Sequence, residues 1–413
     1  MTGLRPHIVI LHRWRSRCAT YERYLDHHAH AVTYLTTEVG MASVPAQAAE
    51  LVIVQATDDL ARVREELKGL AVRHGPPHAI VALKEDDLVT AAQLAAEWNC
   101  GARSPAELRP FRDKYPMVQT VSRAGLAVPA TAEAPDPSVI RSFARVHGWP
   151  VVLKPRIGSS SEGVVRIDCD EQLAALPFDG EQPQIVQSLN PHPVYHVDGV
   201  FDGRDLLCWK SSRYLNTCLE FRGGSPLGSV EEDRPSITEA TGQFAVRVLR
   251  ALTSAPTPFH LELFVDTTNG TGEPLCTFLE VGARVGGAEI PYVWQDVHGY
   301  DLMEAAFRIA LGERPSSFRP RPATETAGWL LVPAPATRPC VVTGITPMTG
   351  RRPGPYSEEL LSPGDVLPDA GAYYEHVGGR FRFRGPTSEV VEEAIRITAR
   401  DFRVTGRACG DAR

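Results

Sequence analysis

The sequence predicts a multidomain fold in which an amino-terminal α/β segment is followed by a strand-rich α+β body. Three observations carry that expectation. At 413 residues the chain is too long for one core, since domains run to about 150 residues. Through residue 100, short apolar runs alternate with helical stretches, the pattern of a parallel sheet with crossover helices. Beyond Trp149 the pattern becomes strand-rich, interrupted by single helices.

The elements follow in order. His7–Leu11, Ala31–Leu35, Leu51–Val54 and Ala79–Leu83 read as strands. Asp58–His74 and Asp86–Trp98 read as helices, each opened by an aspartate suited to capping. The first strand runs into LHRWRSRC, with no glycine-rich dinucleotide fingerprint. Ser104–Pro105 opens a further helix running to Lys114, with a serine cap and proline in the first turn. Pro129, Pro135, Pro137 and Pro150 punctuate a short strand and a helix, and strands then dominate as far as Arg213. A helix at 238–251, a hairpin and a helix at 301–312 come next. From Pro315 the chain is rich in Pro and Gly, with strands at Thr326–Val332 and Arg380–Phe383 and a closing helix at Glu389–Asp401.

Composition narrows the function. With 43% hydrophobic and 23% charged residues, wholesale disorder, coiled coil and collagen are excluded. The net charge of −7 offers no basic footprint, so nucleic acid is not expected as a partner. No apolar stretch approaches the ~20 residues that cross a bilayer, and the first apolar run is too short for a signal peptide. A cytoplasmic location and no membrane partner are the expectation. The eight cysteines lie singly and far apart, as reduced packing residues do.

The strongest chemical signal is the pair FHLELFVD (259–266) and CTFLEVGAR (276–284), joined by TTNGTGEPL. Alternation places His260, Glu262 and Phe264 on one face, and Phe278, Glu280 and Gly282 on one face of the second strand. The connector carries Asn-Gly and Thr-Gly, which are hairpin turn residues. Centring the turn on Thr271 sets Glu262 opposite Glu280. Like charges directly opposed on a sheet destabilise it unless a cation lies between them, and two carboxylates with open positions suit Mg²⁺ carrying a phosphate chain. A turn displaced by one residue, or two solvated carboxylates, is the plain alternative.

The second signal is VVLKPRIGSSSEGVVRI (151–167). Its lysine precedes the glycines and no helix follows, so it is not a Walker loop. It reads as a hairpin whose tip, Gly158 to Gly163, offers backbone N–H groups and the hydroxyls of Ser159, Ser160 and Ser161 to an anion, with Lys154 at its base. Such a flap would close over a triphosphate and exclude water, while a plain surface hairpin is the simpler reading. PQIVQSLN (183–190) adds a strand entering a bend, an inter-lobe hinge where Gln187 and Leu189 would face a base.

In this order the segments resemble the ATP-grasp superfamily: Lys114, the Lys154 strand with GSSSEG, the 184–190 hinge, VYHVDGVFDG, FHLEL, and FLEVGARVGGAEIP followed by YDLMEAAFRIALGE. The resemblance spans 104–314 and is greatest to carboxylate–amine ligases of the L-amino-acid ligase group, through HVDGVF at His196–Phe201 and through LEVGAR. It implies a Rossmann-like amino-terminal domain (1–103), an ATP-grasp core (104–314, with a lid at about 128–190) and a carboxy-terminal α+β domain (315–413). It also implies that Lys114 and Lys154 bind ATP, that Glu262 and Glu280 hold one or two Mg²⁺ ions, and that Arg284 stabilises an acyl phosphate and the later oxyanion. Gly286 and Gly287 would let backbone approach the substrate. Gly282 stands where many relatives carry an asparagine ligand, so a second Mg²⁺ loses one donor. The implied reaction joins a small-molecule carboxylate to an amine and releases ADP and phosphate. The alternatives are transfer to a carrier-protein thiol and a nucleotide-binding protein without turnover. Homodimers are common among proteins of this kind.

His260, facing with Glu262, is a candidate catalytic group. Arg213 and Arg222 are candidates to clamp a substrate carboxylate. The Asp26-His27-His28-Ala29-His30 run lacks zinc-site spacing and reads as polar capping. Glu85-Asp86-Asp87 reads as a solvated helix start.

Overall fold

Four apolar runs near the amino terminus become β1 (His7–His12), β2 (Ala31–Thr36), β3 (Glu50–Ile53) and β4 (Pro77–Ala82), a parallel sheet ordered β3-β2-β1-β4. The structure is a computed structural model and describes residues 5–409 except 17, 102, 179, 181, 271, 315–323 and 370–376. The runs are continuous because both sheet faces are covered. Val9 and Leu11 pack on Leu67 and Leu70 of the helix Leu60–His74, while Ile8 and Ile10 meet Tyr21, Tyr34 and Phe307.

Two helix starts differ from expectation. Asp59, not Asp58, caps the first crossover helix, accepting from the Arg62 amide. Before the second helix, Leu88–Glu97, Asp87 makes no capping bond. It is wholly buried and pairs instead with Arg13 and the Thr57 hydroxyl. The 85–87 segment is therefore an ionic joint with Asp87 at its buried centre, not a solvated start. Lys114 likewise opens a helix (Lys114–Arg123) instead of ending one, because the capping-box turn Pro105–Leu108 gives way to a separate 3₁₀ turn.

The lid sheet has its own core. β5 (Thr131–Glu133), β6 (Val151–Pro155), β7 (Val165–Ile167) and β8 (Gln184–Ser188) are ordered β5-β8-β6-β7, with Val151, Leu153 and Val186 packed on Ile140 and Phe143 of the helix Pro137–His147. The remaining strands are β9 (Val194–Phe201), β10 (Leu206–Tyr214), β11 (Leu227–Glu231), β12 (Thr257–Asp266), β13 (Leu275–Gly282) and β14 (Thr326–Pro333). They are followed by β15 (Cys340–Ile345), β16 (Ser357–Leu360), β17 (Val366–Leu367), β18 (Val377–Gly385) and β19 (Val404–Ala408).

Eight of these form one antiparallel sheet, β13-β12-β9-β10-β11-β14-β18-β16. Leu261, Leu263 and Val265 point to one face, against Val118 and Val121 of the Lys114–Arg123 helix and Val248 of the helix Pro235–Leu252. The other face carries His196, Asp198, His260 and Glu262, and this is the face that builds the site.

The segment after 314 does not stand apart from that sheet. β14 pairs directly with β11, because its run buries Trp329 and Leu331 on one side and Leu330 on the other. Among the described residues only β15, β17 and β19 form a separate small sheet. The expected boundary at 315 itself lies outside the described residues.

A buried carboxylate joins the loop after β13 to this part of the chain. Glu289 is fully inaccessible and accepts from Arg380 Nη1 at 3.2 Å and Arg382 Nε at 2.7 Å, and Arg382 also lies 3.9 Å over the Tyr292 ring. Replacing it leaves two guanidinium groups without their buried counter-charge. Glu289→Ala should therefore cost about 3 kcal/mol, read as a lowered urea midpoint.

Candidate active site

The β12–β13 register brings the two carboxylates together: Glu262 lies opposite Glu280, and His260 opposite Gly282. The alternation expected for β13 fails one residue earlier. A bulge follows the Glu262 pair, so that Leu263 faces Phe278. Phe278 and Val281 both enter the apolar core, whereas Leu279 and Glu280 both line the cleft. Phe278 therefore does not share a face with Glu280. The turn centre, Thr271, lies outside the described residues.

A cleft of about 620 Å³ opens between the lid sheet and the large sheet, within the roughly 300–1,000 Å³ of small-molecule sites. Lys114, Lys154, Glu262 and Glu280 line it, with Val152, Val164, Leu189, Phe264 and Leu279 as apolar walls. Gly158, Ser159 and Ser161 of the flap and Gln187 of β8 line it as well. Gln187 is fixed by a 2.9 Å bond to the Thr131 hydroxyl. Lys114 Nζ donates to the Gly158 carbonyl at 2.8 Å and lies 3.7 Å from Glu280.

Lys154 is buried at 4% exposure. Desolvation pulls its ammonium down to about 8, against the opposing charges of Glu280 and Glu262. A buried ammonium facing a polar cleft is a ready receiver of phosphate oxygens. The paired carboxylates supply hard oxygen donors for Mg²⁺. The residues present thus fit a nucleotide triphosphate with its metal.

Glu262 is oriented from behind. Tyr214 Oη donates to Oε1 at 3.0 Å, and His260 Nε2 lies 3.4 Å from the same oxygen. Burial would raise this carboxyl, but the His260 bond and charge outweigh it and hold it below the usual range. His260 is itself spoken for, since Nδ1 donates to Asp198 Oδ1 at 2.8 Å. Burial opposes its charge, yet Asp198 raises it to about 9. Both ring nitrogens face carboxylates, which favours the protonated ring and places His260 behind Glu262, outside the cleft lining.

Arg284 follows β13 and pairs through Nε with Glu85 at 2.9 Å, and Glu85 also meets Arg112 at 2.8 Å. Burial would raise Glu85, but the two guanidinium charges keep it low. Sequence reasoning missed Glu85, and its short acidic run held no signal of partners so distant. A Cβ on Gly282 would lie 3.3 Å from Arg284 Nε and 3.5 Å from Glu85 Oε2, so the usual asparagine would crowd this ion pair.

The other expected residues divide. A Cβ on Gly286 would lie 2.3 Å from Asp198 Oδ1, so that loop requires glycine, whereas Gly287 faces open space. Gly163 turns the flap back at φ +67 beside Pro155. Ser160 presents its carbonyl to Arg222 Nε at 2.8 Å, so Arg222 holds the flap tip. Arg213 departs furthest: it alternates away from Tyr214 and pairs with Glu392 of the closing helix Ser388–Asp401, outside the cleft lining. In the Asp26–His30 run, Asp26 caps the His28 and Ala29 amides, as a polar turn does. No described helix is long and apolar enough to cross a membrane.

Comparison with known proteins agrees with this architecture. The L-amino acid ligase from Bacillus licheniformis superposes with a TM-score of 0.73 at 17% identity, covering 98% of this chain and 100% of that one. The N5-carboxyaminoimidazole ribonucleotide synthetase from Thermotoga maritima gives 0.67 at 16%, over 97% and 100%. A biotin carboxylase domain dimer from Hydrogenobacter thermophilus, in complex with MgADP and bicarbonate, gives 0.65 at 16%, over 98% and 91%. The fold is therefore the ATP-grasp fold that the motif order implies. A D-alanine–D-alanine ligase from Streptomyces griseus is 32% identical over 107 residues, 25% of this chain and 23% of that protein. The chain thus matches about a quarter of that curated relative's length. No family model matches the chain.

Lysine reactivity tests the electrostatics. Reductive ¹³C-methylation followed by NMR titration should find the Lys154 amine near pH 8. Glu280→Gln removes the largest charge that raises it, so the value should fall further.

Proposed function

We propose that the protein is an ATP-dependent ligase that activates an amino-acid-like carboxylate as an acyl phosphate and joins it to an amine, releasing ADP and phosphate. The observation that carries this reading is the in-register Glu262–Glu280 pair facing Lys154 and Lys114 across one cleft. The neighbours named as ligases and synthetases, and the match to a D-alanine–D-alanine ligase, support ATP-dependent C–N bond formation as the reaction class.

Each residue then has a task set by its position. Lys154 and Lys114 receive the phosphate oxygens, and the apolar wall from Val152 to Leu279 receives the base, with the hinge backbone at Leu189 along its edge. Glu262 and Glu280 hold Mg²⁺, which when bound neutralises charge on the transferred phosphoryl group. The flap residues Gly158–Ser161 cover the phosphates and keep water from the activated carboxylate. Arg284, held by Glu85 through Nε, is assigned the negative charge that grows on the carbonyl as the amine attacks, although it lies next to the cleft lining and not in it. His260 serves to orient Glu262.

A panel of amino acids, singly and in pairs, with ATP, Mg²⁺ and hydroxylamine tests this reading. ADP release that requires a carboxylate, together with a hydroxamate, is the expected result, and AMP release would overturn it. Arg284→Ala should lower turnover by about 10²–10³-fold, the range for losing one oxyanion-stabilising donor.

Release of the flap gives a separate check. Arg222→Ala removes the bond to the Ser160 carbonyl and should increase ATP hydrolysis uncoupled from amide formation, measured as the ratio of phosphate to product.

A further inference from the structure

Behind Glu262 lies a chain of polar groups that never reaches the cleft. Ser229 Oγ meets His196 Nε2 at 2.7 Å, His196 Nδ1 donates to Asp198 Oδ2, and His260 Nδ1 donates to Asp198 Oδ1 at 2.8 Å. His260 Nε2 then approaches Glu262 Oε1. His196, Asp198 and Ser229 are 1–2% exposed. The sheet register builds the chain, for Asp198 stands opposite His260, and His196 stands opposite Glu262.

Burying a carboxylate between two imidazoles is costly unless each oxygen is satisfied, and here each is. The loop after β13 closes over the pair so tightly that Gly286 has no room for a Cβ. Arg284 adds its positive charge to the same neighbourhood from β13. The far end of the chain is tied to the sheet through Ser229, so the His260 ring cannot turn without breaking bonds along its length. Both contacts to Glu262, from Tyr214 and from His260, fall on Oε1. Oε2 is thereby turned away from these donors.

The geometry points to Asp198 and His196 as positioning residues that act through His260 to fix the Glu262 carboxylate for its metal ion. This rests on the proposed function for the metal, and it assigns a role to residues that touch neither substrate nor nucleotide. The side chains lie where outer-shell partners lie in metal sites, orienting a ligand instead of ligating. The same three groups, His196, Asp198 and His260, also have the composition of a transition-metal site, and the test separates the two uses.

The experiment measures Mn²⁺ binding by EPR in the presence of ATP, with metal-free ATP binding and thermal melting measured alongside. Asp198→Asn should weaken Mn²⁺ by about 10–100-fold while leaving metal-free ATP affinity unchanged. In turnover assays the Mg²⁺ concentration for half-maximal rate should rise by a similar factor, with kcat largely recovered at saturating Mg²⁺. Unchanged Mn²⁺ affinity in a folded Asp198→Asn protein overturns the inference. Should that variant fail to fold, Ser229→Ala decides: a several-fold loss of Mn²⁺ affinity at an unchanged melting temperature supports the inference, and no loss overturns it. A transition metal retained stoichiometrically by the purified protein and lost in His196→Gln also overturns it. Absence of ATP-dependent Mn²⁺ binding in the wild-type protein would instead defeat the proposed function.

Discussion

Two like charges held face to face on a hairpin are the constraint on which the rest of the site depends. Glu262 and Glu280 repel one another across paired strands, and the nearest opposing charges are Lys114, Lys154 and His260. These cations do not cancel the pair in one place. His260 sits behind Glu262, within the sheet, while Lys154 enters from lid strand β6 and Lys114 from the start of the Lys114–Arg123 helix. Lys114 approaches Glu280 to 3.7 Å, and both lysines and both carboxylates line one cleft. A metal–phosphate unit matches those charges, positive toward the carboxylates and negative toward the lysines. Under the proposed function, such a unit would join the two sets of charges.

Small backbone irregularities make this arrangement feasible. Without the bulge after Glu262, strict alternation would place Phe278 in the cleft and out of the core. The extra residue lets the hairpin bury Phe278 and Val281 and still deliver both Leu279 and Glu280 to the cleft. At the next pair, Gly282 leaves room for the Arg284–Glu85 ion pair. The missing asparagine and the acidic residue from the amino-terminal segment are thus two sides of one packing choice.

Much of the fold could be read in the chain, because its strands are apolar runs with clear punctuation. The Glu262–Glu280 pairing was legible too, since two alternating segments flank turn residues. What was not legible depended on partners far away in sequence. From sequence alone Arg213 reads as a candidate clamp, but its partner Glu392 lies 179 residues on. Glu85 reads as solvated in its own segment, but its partner Arg284 is 199 residues distant. The bulge was hidden for a related reason: only the packed core tells Phe278 which way to face. His260 illustrates the limit most clearly, because its spacing from Glu262 revealed the neighbourhood but not that both ring nitrogens were already taken.

The flap shows how such contacts can be graded. At its base, Arg156 grips Asp113 through two nitrogens, at 3.0 and 2.6 Å, and Asp113 also caps the Lys114 helix. At its tip, Arg222 donates one bond to the Ser160 carbonyl, and Lys114 donates one to the Gly158 carbonyl. A charge-assisted bond of this kind contributes about 1.5–3 kcal/mol when well buried and less where water competes. The base is therefore the firmer end and the tip the looser one. Ser160 and Ser161 take left-handed backbone, at φ 57 and 54, which serines adopt at a cost. Strain at the tip offsets part of what its bonds contribute, so opening from the tip costs little while the base keeps Lys154 in place. Under the proposed function, a flap built this way would admit and release a nucleotide without dismantling the site beneath it.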